Sequence, residues 1–111
     1  MNISFNGFEE NTVTFAKEDT LTKAGVPVKI TADGTVAPCE QGDKICGVAT
    51  AVRGDYAAVQ LKGFVQLKTQ EEIPTGFVKI AAAADGKAMV SESGREVLVV
   101  MSQQDTAGFI L

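Results

Sequence analysis

Apolar and polar residues alternate along most of the chain with a period of two. In Tyr56 to Lys68 the odd positions read Ala57, Val59, Leu61, Gly63, Val65 and Leu67, and the even ones Gln60, Lys62, Phe64, Gln66 and Lys68. Successive side chains of a strand point to opposite faces, so this stretch predicts one strand with a core side and a wet side. Val26, Val28 and Ile30 alternate with Pro27, Lys29 and Thr31, and Val78, Ile80 and Ala82 with Phe77, Lys79 and Ala81. Ile45 to Val52 and Glu96 to Met101 are apolar on both sides, as expected of strands covered on both faces.

The residues between these runs carry turn chemistry. Asp33-Gly34 and Asp85-Gly86 are hairpin signals, because Gly accepts a positive φ without cost and Asp tolerates it. Gly42-Asp43, Gly54-Asp55 and Ser93-Gly94 mark further bends. Helix signals are weak. Thr69 to Thr75 (TQEEIPT) has room for a single turn ended by Pro74, and Ala81 to Ala84 reads as the end of a strand entering a turn. The pattern therefore predicts an all-β chain: a small single-domain β-barrel or β-sandwich of β-tulip type, with at most one short helix.

Three segments return in the same order about 50 residues later. VPVKITADG (26–34) is echoed by FVKIAAAADG (77–86), GDKICGVA (42–49) by GREVLVVM (94–101), and KGFVQL (62–67) by AGFIL (107–111). This suggests an internal duplication of a β unit. Residues 1–20 stand apart, with Phe5, Phe8 and Phe15 spaced among polar residues. They read as an N-terminal arm or a first strand, followed by a β domain over 21–111.

Composition narrows the function. The 111 residues suit one domain, and their 45% apolar content suits a folded one. No apolar run reaches the roughly 20 residues of a membrane-spanning helix, and MNISFNGFEE lacks the pattern of a secretory signal. Synthesis in a cytoplasm and no membrane partner are the expectation. Net charge is −4, with two arginines, which argues against a nucleic-acid partner.

The chain has no histidine. The commonest general base near neutral pH and the commonest metal ligand are both missing. Cys39 and Cys46, seven positions apart, do not make a four-ligand zinc site; a disulfide across the short loop is geometrically open, and reduced, partly buried thiols are the favoured reading. Glu71 and Glu72 are adjacent and would point to opposite faces of a strand. The aspartates at turns have structural reasons to be there and lack the spacing of a calcium loop. The expectation is no enzyme, no cofactor, no catalytic residue and no metal site.

Arg53-Gly54-Asp55 has the letters of an adhesion signal, but between two apolar runs it reads as a turn. Lys87, after Asp85-Gly86, invites comparison with the modified lysine of biotinyl and lipoyl carriers, and a carrier or ligand-binding module is the alternative function. Phe64 interrupts a polar face between Lys62 and Gln66. With Phe5 and Phe8 it is the candidate for an interface, because interfaces concentrate binding in aromatics.

The run Ala24-Gly25, Val28 to Ile30, Asp33-Gly34, Gly42-Asp43, Gly47-Val48-Ala49, Gly54-Asp55 and Val59-Gln60-Leu61-Lys62-Gly63 resembles the head-decoration (capsid cement) proteins of tailed bacteriophages, the group that includes the head protein D of phage lambda. The likeness is clearest over residues 24–67 and looser over 75–111. It implies a compact β domain that forms a homotrimer, binds the major capsid protein on the outer surface of a phage head and stabilises the shell. The protein would then be part of the virion, with residues 1–20 suited to an arm that orders on the shell.

Overall fold

The computed structural model describes residues 11–111. These fold into ten strands: β1 (Asn11–Lys17), β2 (Pro27–Ala32), β3 (Thr35–Pro38), β4 (Gly47–Arg53), β5 (Tyr56–Lys62), β6 (Phe64–Lys68), β7 (Gly76–Ala82), β8 (Ala88–Val90), β9 (Arg95–Ser102) and β10 (Thr106–Ile110). One turn of 3-10 helix, Ala84–Gly86, separates β7 from β8. The all-β expectation holds. No helix forms over 69–75: Thr69 bridges to Ala88, and the Gln70 N–H donates to the Ala88 carbonyl at 3.0 Å. So short a segment cannot support an isolated helix, and Pro74 prevents its extension.

The strands form two five-stranded units. The first is a closed barrel in the order β1-β3-β2-β4-β5, and the second a sheet in the order β6-β10-β9-β7-β8. The two share one topology. In the first, β3-β2-β4-β5 is a run of antiparallel neighbours, and β1 adds beside β5 and closes on β3 in parallel. In the second, β8-β7-β9-β10 is the corresponding run, and β6 adds beside β10. The parallel closure is reduced there to the single bridge Thr69↔Ala88.

Matching hydrogen bonds confirm the equivalence. Lys17 N donates to Asp55 O at 3.1 Å, and Thr69 N to Asp105 O at 2.9 Å. Glu18 N donates to Val36 O at 2.9 Å, as Gln70 N does to Ala88 O. Leu21 and Ile73, each in the connection after the first strand of its unit, are both fully buried. The duplication suggested by the sequence is therefore present, with one adjustment. KGFVQL and AGFIL are not counterparts: they belong to β6 and β10, which pair with each other in the second unit.

Gly63 divides the stretch that reads as one strand in sequence. Its φ of 97° breaks the run, so β5 ends in the barrel and β6 starts the second sheet. Each unit has its own core. Leu21, Val28, Val36, Ala49 and Val59 fill the barrel, and Leu67, Ile73, Ile80, Val97, Val99 and Phe109 fill the second unit. Ile45 and Val48, which precede and open β4, pack in the second core and join the two. Polar contacts reinforce the joint. The Arg95 guanidinium donates to the carbonyls of Cys46 (3.1 Å) and Ile45 (3.4 Å), and the Gln60 amide to those of Lys62 and Phe64 (both 3.0 Å).

Candidate functional site

The side chains that carry chemistry are dispersed. Among the described residues no three His, Cys, Asp or Glu side chains converge to hold a metal ion, and no helix is long and apolar enough to cross a membrane. Asp43 accepts from Lys29 Nζ at 2.8 Å and from the Glu40 N–H at 2.8 Å. The first of these bonds, more than the second, holds the Asp43 carboxyl below the usual carboxylate range. Cys39 and Cys46 are free, half-buried thiols. Burial, aided by nearby Asp43, pushes the Cys39 thiol up to about 12, and burial raises that of Cys46. Both are unsuited to act as thiolates at neutral pH. Lys87 is half-buried and follows the turn rather than occupying its tip: Asp85 and Gly86 hold the positive φ values, 62° and 75°.

Arg53-Gly54-Asp55 is part of the β4–β5 hairpin. Arg53 pairs with Tyr56, leaving Gly54-Asp55 as a two-residue loop. Of the two only Gly54 has a positive φ, 54°, so glycine falls at the first central position, as in a II′ turn.

Of the interface candidates from the sequence, one falls among the described residues. Phe5 and Phe8 lie outside the described residues. Phe64 does not face outward into water: it is 9% exposed. The break at Gly63 moves Phe64 to the start of a new strand, where its ring lies over Gly108 of β10. A Cβ on Gly108 would sit 2.7 Å from Phe64 Cζ. A glycine under an aromatic ring lets the ring lie flat on the sheet.

Among the described residues the exposed aromatics are Phe77, 75% exposed on β7, and Tyr56, 60% exposed after the Gly54-Asp55 loop. Strand register places Phe77 opposite Leu98, Leu98 opposite Ile110, and Ile110 opposite Phe64. These four side chains form an apolar row across the outer face of the second sheet, recessed at Phe64 and protruding at Phe77. Lys79 and Glu96, opposite each other and exposed, flank the protruding end. Sequence reasoning passed over Phe77, although it carries the signal that singles out Phe64: an aromatic among polar neighbours on the wet side of a strand.

A shallow hollow of about 240 Å³ lies on the outer wall of the barrel. Ala51, Ala57 and Ala58 form its floor, and Thr14, Arg53 and Tyr56 its rim. Two larger clefts, about 420 and 490 Å³, run between the units on either side of Gln66 and Gly25.

No protein-family model and no curated protein matches the chain. Among solved structures it is similar to the N base of the head fiber gp8.5 of bacteriophage phi29. The TM-score is 0.61 at 14% identity, over 92% of this chain and 93% of that one. The likeness extends to nearly the whole of both chains and shows that they share a fold.

Proposed function

We propose that this chain is a structural protein of a phage head: a decoration protein that binds the major capsid protein on the outer surface, stabilises the shell and acts as a homotrimer without catalysis or cofactor. The observation that carries this reading is the end-to-end fold likeness to a protein described as the base of a head fiber. The motifs over residues 24–67 independently resemble head-decoration proteins; affiliation to the lambda D-like group rests on those motifs alone. The surface suits packing better than chemistry, since it exposes aromatics and an apolar row and no three acids converge to hold a metal among the described residues.

The test is co-sedimentation with mature heads of a phage carrying this gene, prepared without the protein. Saturable binding at a fixed ratio to the capsid protein, with a raised melting temperature of the heads, is the expected result. Failure to sediment with heads removes the reading.

A further inference from the structure

We propose that copies of this chain associate by inserting Phe77 of one copy into the alanine-floored hollow on the barrel of the next, with the Arg53-Gly54-Asp55 turn clasping it. The inference deepens the homotrimer reading above, on which it rests, by naming the two surfaces that would meet.

The two halves of the contact lie on different units of the molecule and match in shape and charge. Phe77 is the protruding end of the apolar row and is itself 75% exposed. The hollow, about 240 Å³, has room for an aromatic ring, since liquid water occupies about 30 Å³ per molecule. Its floor is the methyl groups of Ala51 and Ala58 with the strand backbone at Ala57, whose own methyl is buried in the barrel core. Tyr56 and Arg53, opposite each other at its edge, present a second aromatic ring and a guanidinium, both favourable partners for a phenyl group.

Charges continue the match. Beside Phe77 stand Lys79 and Glu96; Arg53 lines the hollow and Asp55 lies in the adjoining two-residue loop, all four exposed. Glu96 can face the next copy's Arg53, and Lys79 its Asp55. An apolar knob complementary to a hollow elsewhere on the same molecule makes a head-to-tail contact, which closes into a ring when the rotation permits. The occupant argued for is thus a second copy, whose surface supplies both the fit and the charge pattern.

The experiment is the solution mass of the full chain by sedimentation equilibrium, without heads, for the parent, Phe77→Ser, Glu96→Arg, and Glu96→Arg combined with Arg53→Glu. The parent should associate, both single variants should fall to monomer mass with melting curves like that of a dissociated parent, and the double reversal should regain the parent's mass. A monomeric parent, or Phe77→Ser at the parent's mass, overturns the contact. Failure of the double reversal to recover overturns the pairing of knob with this hollow. A parent of dimer mass that Phe77→Ser dissociates retains the contact and removes the three-fold reading. Head binding is measured separately, so a ring that ignores heads removes the head reading alone.

Discussion

Gly108 and Phe64 are a matched pair, and neither tolerates change independently. Alanine at 108 would place its Cβ 2.7 Å from the ring, so Gly108→Ala should destabilise by about 1–3 kcal/mol, the usual cost of overpacking. Phe64→Ala should cost about 3 kcal/mol, as truncating a buried aromatic does, whereas Phe77→Ser should leave the melt of the isolated monomer almost unchanged. Urea unfolding of the three variants checks this ordering; equal losses at 64 and 77 would contradict it. The Lys29–Asp43 pair gives a pH signature. Asp43 is held below its ordinary 3.8, first by the Lys29 hydrogen bond, so its contribution is present above that value and lost as pH falls through the lowered folded one. Lys29 is raised above 10.5 by the same bond, so its contribution is present below that value and lost only as pH rises through the raised one. Asp43→Asn should therefore melt earlier than the parent at pH 7, with the gap closing as pH drops below 3.8; a gap independent of pH would show that the bond is not the cause.

Each five-stranded unit is completed by the connection that follows its first strand. Leu21 seals the barrel, and Ile73, whose carbonyl accepts from the Ser102 hydroxyl, seals the second unit. Leu21→Ala and Ile73→Ala should each cost about 2–5 kcal/mol, the range for large-to-small core changes, measured by chemical denaturation. Arg53→Ala, on an exposed hairpin, should change monomer stability by less than about 0.5 kcal/mol. The elements were largely legible in the sequence because period-two alternation and Asp-Gly turns are local signals. Val78 to Ala82 and the Gly54-Asp55 loop needed nothing distant to be placed. Alternation put Phe64 on the face of Gln66 and Lys68, where it lies, but could not show its burial, which depends on Gly108 of β10 beneath its ring and on the passage to the second sheet at Gly63. Period two carries no record of the neighbouring strand. Alternation is equally silent on Ile30, which shares a face with buried Val28 yet is half-exposed where the register shifts between Ile30 and Ala32. The hollow left no trace in sequence, since Ala51 and Ala58 become neighbours only through the β4–β5 register.

The whole molecule is two like units held by a shared core and a few directed bonds. Removing one of those bonds isolates the joint. Arg95→Ala would leave the Cys46 and Ile45 carbonyls without their guanidinium and should destabilise the chain by about 1–3 kcal/mol, with hydrogen exchange rising first around residues 45–48. Uniform acceleration across both units would instead mean that they open as one. The same duplication gives the molecule two different outer walls, a barrel with a hollow and a sheet with an apolar row, which suits the contacts proposed with sister copies and with a shell. The most direct measurement of that role is a cryo-electron-microscopy difference map between heads of a phage carrying this gene with and without the protein. The account predicts added density outside the shell, repeated at equivalent positions of the lattice and fitted by this ten-stranded chain. Density confined to the tail or the interior, or no added density, would contradict it.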